Sequence, residues 1–290
     1  MMMEWEYSIM DIVKFQGGLG NQLFQYGLYR KLLILGKCVK ADTRCYQENK
    51  MESNRELELL LFQGVKLNIA NKAQVLVKKN FVTKRKGFRE RNIFFVQENM
   101  AGEYDPTMLA RKCSYLEGYW QTEKYFKDIR NILLSELVFP EIQYGEQAIY
   151  ESDISSSESV SIHIRRGDYL NHLDKYGNIC TEEYYIKAIK CIQKNIKNPR
   201  FFVFSDDMKW SKHALGSYKQ IQFVEHNSDV KSIYDMKLMS LCKHNIIANS
   251  SFSWWASWLN NNPNKIIIAP ERWRNDCECQ DIYCKEWMII

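Results

Sequence analysis

Ser161-Ile162-His163-Ile164-Arg165-Arg166-Gly167-Asp168-Tyr169 is an apolar, β-prone run that stops abruptly at two arginines, a glycine and an aspartate. It reads as a central strand and its carboxyl end. A guanidinium keeps its charge and presents a planar fork of donors, so a pair of them at the mouth of a strand implies an anion to bind there. Alternation along the strand sends Arg165 and Arg166 to opposite faces. One is then available to a phosphorylated ligand, and the other pairs with Asp168 or another carboxylate.

Outward from this stretch, the chain repeats one grammar: a short apolar strand, a polar or glycine turn, then an amphipathic helix, the pattern of α/β folds with parallel sheets. In the first half, strands are expected at 11–15, 39–42 and 114–120. A helix over 22–35 ends at Gly36, and another spans 123–137. The serine-rich, acidic interruption at 151–158 reads as a boundary. Beyond it come strands at 160–164, 200–205, 221–224, 245–248 and 265–269, with helices at 182–197, 208–214, 230–242 and 254–259. Two domains follow, 1–150 and 151–290, each of ordinary Rossmann-like size.

The 290 residues are 46% apolar and 26% charged, enough for real cores. Net charge is +5, from 40 basic and 35 acidic side chains, which favours anionic ligands but excludes a nucleic-acid scaffold. Lys78, Lys79, Lys84, Arg85, Lys86, Arg89 and Arg91 crowd one segment, read as a solvated face with an acidic membrane surface as the alternative. The nine cysteines are an odd number, and Met1 to Met10 lacks the apolar core of a signal peptide. Reduced thiols in the cytoplasm are expected. Cys277, Cys279 and Cys284 lack the paired spacing or nearby histidine of a zinc site. No window approaches the ~20 apolar residues of a membrane span, which leaves open only a peripheral role at the inner face of a membrane.

Ligands of open α/β sheets sit at the carboxyl ends of strands, and four such turns carry unusual chemistry. Gly17-Gly18-Leu19-Gly20-Asn21-Gln22 is a glycine turn ahead of a helix, yet it lacks the third glycine of a dinucleotide fingerprint and the Lys-Ser/Thr of a P-loop. The second is His163 to Tyr169. Ser205-Asp206-Asp207 reads either as a metal-bridging pair or, more simply, as a helix cap at Ser205 or Asp206. Asn249 to Ser253 offers hydroxyls and backbone N–H groups at a helix start, suited to an anion or to plain capping. Asp235, on the preceding helix, could accept from the guanine edge or be merely a helical aspartate. Trp254, Trp255 and Trp258 read as packing, whereas Tyr119-Trp120-Gln121 is the better candidate for an acceptor site.

Taken with Glu117-Gly118-Tyr119-Trp120-Gln121, these turns resemble in order and spacing those of the bacterial α-1,2-fucosyltransferases of glycosyltransferase family 11, over almost the whole chain. The resemblance implies a GT-B-type α/β fold of two Rossmann-like domains facing across a cleft. It also implies inverting transfer of L-fucose from GDP-β-L-fucose to a 2-hydroxyl, usually of galactose, with no required metal or cofactor. Arg165 would hold the pyrophosphate with Ser250, Ser251 and Phe252, and Asp235 would read guanine. His163 would lie near the nucleoside, Arg166 and Asp206 would support the donor, and Asp168 and His163 join Arg165 as catalytic candidates with no base assigned. Gly18, Gly20, Asn21, Gln22, Tyr119, Trp120 and Gln121 would face the fucose and a glycan acceptor, lipid-linked in one version. A catalytically silent nucleotide-sugar or glycan-binding protein is the alternative.

Overall fold

The computed structural model describes residues 10–47, 55–80, 95–141, 145–225 and 232–290. The chain divides into two compact units that meet at Val138 and Phe139. The predicted break after Tyr150 is therefore too late. The serine-rich stretch is the end of a helix, Glu146–Ser155, which packs with elements of the second unit. Ser155, Ser156 and Ser157 turn their hydroxyls onto the carbonyls of its last turn, so their polarity ends a helix and does not mark a linker.

The first unit holds four strands, β1 (Asp11–Lys14), β2 (Val39–Asp42), β3 (Phe95–Gln97) and β4 (Tyr115–Glu117), all parallel in the order β2-β1-β4-β3. Its longer helices are α1 (Leu19–Ile34), α2 (Lys72–Asn80) and α3 (Arg130–Glu136). Helix α1 ends as Gly36 foretells. Gly36 sits at φ +77°, its N–H donates to Leu33 O, and the N–H of Lys37 donates to Leu32 O, the paired bonds of a Schellman stop. The helix expected over 123–137 is instead two 3₁₀ turns, Glu123–Tyr125 and Lys127–Ile129, followed by α3. Thr122 accepts from Lys124 N and closes the first turn tightly.

The second unit is a six-stranded parallel sheet: β5 (Glu158–Ile164), β6 (Pro199–Ser205), β7 (Ile221–Phe223), β8 (His244–Ile246), β9 (Ile267–Ala269) and β10 (Met288–Ile289), in the order β10-β9-β8-β5-β6-β7. Its helices are α4 (Glu146–Ser155), α5 (Glu182–Asn195), α6 (Met208–Leu215), α7 (Ser232–Leu241) and α8 (Ser251–Leu259). Strand β5 alternates chemically although both faces are buried. Val160, Ile162 and Ile164 join Tyr185, Ile189, Ile192, Phe201 and Val203 in one core. On the other face Ser161 accepts from Asn245 Nδ2 at 2.7 Å and Ser159 accepts from Lys243 N at 3.1 Å, so the buried hydroxyls are satisfied.

Chain order reverses beside the first strand of each unit, and Rossmann-like sheets open their binding crevice at that reversal. In the first unit the reversal lies between β1 and β4; in the second it lies between β5 and β8. Lys84, Arg85, Lys86, Arg89 and Arg91 of the basic segment lie outside the described residues, as do residues 1–9. Lys78 is buried and donates to Cys113 O at 2.9 Å, an anchor and not a surface charge. Among the described residues no helix is long and apolar enough to cross a membrane.

Candidate active site

At the β5–β8 reversal of the second unit, the strand-end residues separate by face as alternation requires. Arg166 turns toward α6, its guanidinium 4.4 Å over the Trp210 ring and its Nε donating to Asp207 at 3.1 Å. Asp207 also caps α6 by accepting from Trp210 N at 3.0 Å, one residue later than the expected cap. Arg165 lies on the opposite side, with Nη1 2.9 Å from Asp206 and Nη2 2.8 Å from Asp168. Burial alone would lower its pKa, but the two carboxylates outweigh it and hold the guanidinium above its ordinary value. Asp168 thus pairs with the arginine expected to bind ligand, not with its neighbour.

Asp206 is the fixed partner of this cluster. One oxygen accepts from Arg166 N at 2.8 Å, and the other accepts from Gly167 N at 3.2 Å besides facing Arg165. Such a carboxylate shapes the turn that carries both arginines. A Cβ at Gly167 would stand 2.8 Å from Asp206 Oδ2, so any larger residue there must displace that carboxylate. Asp168 is different: its side chain is 44% exposed at the start of a short 3₁₀ turn, so it is the more exchangeable of the two partners. Among the described residues, no three His, Cys, Asp or Glu side chains group as a metal would need.

His163 shares Arg165's face and is 6% exposed, its ring 5.6 Å from Phe252. Burial, reinforced by the Arg165 charge, pushes its pKa down to about 3, so it is a neutral imidazole beside a cation. Among the described residues its Nδ1 has no hydrogen-bond partner. Across the crevice, Ser250 is the cap of α8 and accepts from Phe252 N at 3.4 Å, while Ser251 and Phe252 are half-buried in the first turn. The helix thus begins at Ser251, earlier than expected, and its leading amides flank the crevice. Asp235 is half-buried in the first turn of α7, which packs on α8 and β5. Trp254, Trp255 and Trp258 are core, and Trp254 Nε1 donates to Ile282 O at 2.7 Å.

At the β1–β4 reversal of the first unit, Gly17 adopts φ +82° and Gly18 starts α1 without a side-chain cap. Gly20 and Asn21 therefore belong to the helix and not to a turn, and Gln22 lies in it as expected. Gln121 Nε2 donates to Asn21 Oδ1 at 2.7 Å, joining the two strand-end segments. Gln22 is fully buried and structural. Its Nε2 donates to Gly17 O and Glu56 O at 3.0 and 2.9 Å, and its Oε1 accepts from Leu59 N at 3.0 Å. Trp120, expected to meet an acceptor, is only 2% exposed and packs edge-on against Tyr125, so it is core. Glu98 holds this turn by accepting from Tyr119 N and Trp120 N at 2.6 and 3.0 Å.

Glu98 and Tyr169 carry no site role in the sequence, and Asp207 enters there only as one half of a metal-bridging pair. Asp207 shows itself only through its spacing to the α6 amides, and Glu98 lies far upstream of the turn that it caps. The Tyr169 phenol donates to Asn249 O at 2.8 Å.

Comparison with known proteins agrees with this geometry. The profile of Glycosyl transferase family 11 matches residues 11–290. The chain is 33% identical over 296 residues to an alpha-1,2-colitosyltransferase of Escherichia coli, covering 96% of this chain and 98% of that one. It is 31% identical to the O-antigen biosynthesis glycosyltransferase WbnK of Escherichia coli, over 89% and 92% of the two chains. A mutant of FUT1 from Arabidopsis thaliana in complex with GDP superposes with a TM-score of 0.53 at 13% identity, covering 91% of this chain and 71% of that one. That likeness carries the fold, a GT-B-type pair of Rossmann-like units.

Proposed function

Because this chain belongs to glycosyl transferase family 11, we propose that it is an inverting transferase moving L-fucose from GDP-β-L-fucose to the 2-hydroxyl of a β-galactoside. The observation that supports this reading is Arg165, at the carboxyl end of β5 beside the chain reversal, its guanidinium held ready by Asp168 and Asp206. Breaking the bond from fucose to phosphate builds oxocarbenium character on the sugar and negative charge on GDP. A guanidinium has five N–H donors, more than its ion pairs with Asp206 at Nη1 and Asp168 at Nη2 require, and the others suit a phosphate. The leading amides of α8 add the positive end of a helix. Preorganised donors of this kind act on the charge that develops in the transition state, and each is worth ~3–4 kcal/mol by analogy with oxyanion holes.

In this reading Asp206 aims Arg165, Arg166 secures the turn through Asp207 and Trp210, and Asp235 selects guanine. His163 is the neutral neighbour of the nucleoside, because a group with a pKa of about 3 is poorly matched to removing a hydroxyl proton. No metal or cofactor has a step in the reaction, the diphosphate charge being met by Arg165 and the helix. Asn21 and Gln121 are the polar groups offered to sugar hydroxyls. The enzyme would act in the cytoplasm, on acceptors that include lipid-linked glycans at the membrane face.

A second donor, GDP-colitose, is favoured by the 33% identity to a colitosyltransferase. Colitose lacks the 3-hydroxyl of fucose, so one crevice could admit both sugars. Incubating the protein with a β-galactoside, EDTA and either GDP-sugar tests all of this. Transfer of fucose despite chelation supports the main reading, and transfer of colitose alone replaces the donor. Binding without product would make the protein a silent nucleotide-sugar binder. Arg165→Ala should reduce transfer by at least about a hundredfold with the fold retained, the loss of one preorganised donor. Near-normal turnover would remove Arg165 from the mechanism.

A further inference from the structure

Tyr169 stands where the two strand-end turns of the second unit touch. Its ring lies beneath Arg165, whose Cζ is 5.8 Å from the ring centroid, within cation–π range. Tyr176 backs it, stacked at 4.3 Å and 16°. The phenol donates to the carbonyl of Asn249, the residue directly before Ser250. Asn249 is itself immobilised: Nδ2 donates to Trp273 O at 3.0 Å, and Oδ1 accepts the Cys180 thiol at 3.4 Å.

A brace stands behind the tyrosines. Arg274 lies 5.7 Å over the Tyr176 ring and is held by Asp276 through Nε and Nη2 at 2.7 and 2.5 Å. Asn275 binds the chain on either side of Tyr176, with N–H to Lys175 O and Nδ2 to Gly177 O, both 2.9 Å. Burial raises the Tyr169 phenol above its ordinary pKa, so it remains a hydrogen-bond donor. The side chain therefore does two separable things. Its ring fixes the plane of a guanidinium that the two carboxylates grip only at its ends, and its hydroxyl fixes the distance between two turns on different strands.

Resting on the reading of Arg165 as the donor-diphosphate clamp, we propose that Tyr169 is the positioning residue of that clamp, orienting the Arg165 guanidinium and locking its turn to Asn249-Ser250. Both halves of the anion site then present donors to the same pair of phosphates. A core tyrosine that only filled space would affect GDP binding whether or not Arg165 were present. A positioning residue would not.

The test is a double-mutant cycle on GDP affinity, measured by calorimetry on the full chain, with thermal denaturation as the check on folding. Tyr169→Phe keeps the ring and loses the link to Asn249; Tyr169→Leu loses both. Affinity should fall about fivefold in the first and at least about tenfold in the second. In an Arg165→Gln background, Tyr169→Leu should weaken GDP by no more than about twofold, because the group it positions is gone. Equal losses in both backgrounds, or no loss beside intact Arg165, would overturn the proposal. If Arg165→Gln itself leaves GDP affinity unchanged, the clamp reading fails first, and that result is distinct from a failure of Tyr169 alone.

Discussion

The buried His163 makes the second unit sensitive to mild acid. Its pKa is pushed down to about 3 from an ordinary 6.5, burial being the larger cause and the Arg165 charge the smaller. Between these values the unfolded chain binds a proton that the folded chain refuses, so stability falls as pH drops through 6.5 and continues to fall toward 3. Each pH unit in that window costs about 1.4 kcal/mol, and integration from pH 7 to pH 5 gives about 2 kcal/mol from this one side chain. His244, whose pKa burial also lowers, adds in the same direction. The carboxylates of Asp207 and Asp276, held below 3.8, are destabilised only under more acidic conditions. Comparison with His163→Leu, a neutral side chain of similar volume, isolates the His163 share because His244 is common to both proteins. Urea unfolding at pH 7 and pH 5, followed by the fluorescence of Trp210, Trp254, Trp255, Trp258, Trp273 and Trp287, reads the second unit. The natural chain should lose about 2 kcal/mol more than the variant over that interval. Equal losses, within about 0.5 kcal/mol, would mean that His163 is protonated in the folded state, and the neutral-neighbour role would be wrong.

Gly167→Ala places a methyl 2.8 Å from Asp206 Oδ2 and displaces it from Gly167 N and Arg165. Transfer should drop about tenfold or more with little change in Tm, as expected for a lost charged hydrogen bond; unchanged kcat/KM would show that Asp206 does not aim the clamp. Gln22→Ala leaves the buried Leu59 N without its acceptor while Gly17 O keeps the Tyr46 hydroxyl, and denaturant unfolding of the first unit should show a loss of about 1–3 kcal/mol. A cost below about 0.5 kcal/mol would contradict the structural role of Gln22.

Much of this protein was legible as sequence because its signals are local. The alternation of Ser159 to Ile164 separates the Arg165 and Arg166 faces, Gly36 stops α1 by backbone conformation alone, and glycine with paired arginines marks a strand end. The parallel α/β grammar, both crevice turns and the packing role of the tryptophans follow from such patterns. Other features depend on groups distant along the chain. Whether Trp120 meets a ligand or the core depends on Tyr125 and on Glu98 gripping its turn. Gln22 looks like a crevice residue until Glu56 and Leu59 take its amide. The choice of Asp168 and Asp206 for Arg165, and of Asp207 for Arg166, required β5 and β6 to be paired, which sets the two loops side by side. Sequence determined which chemistry stands at each strand end, because propensity and alternation act over a few residues. Only the tertiary structure decided which side chains bind one another, because desolvation and hydrogen-bond geometry depend on neighbours brought together by folding.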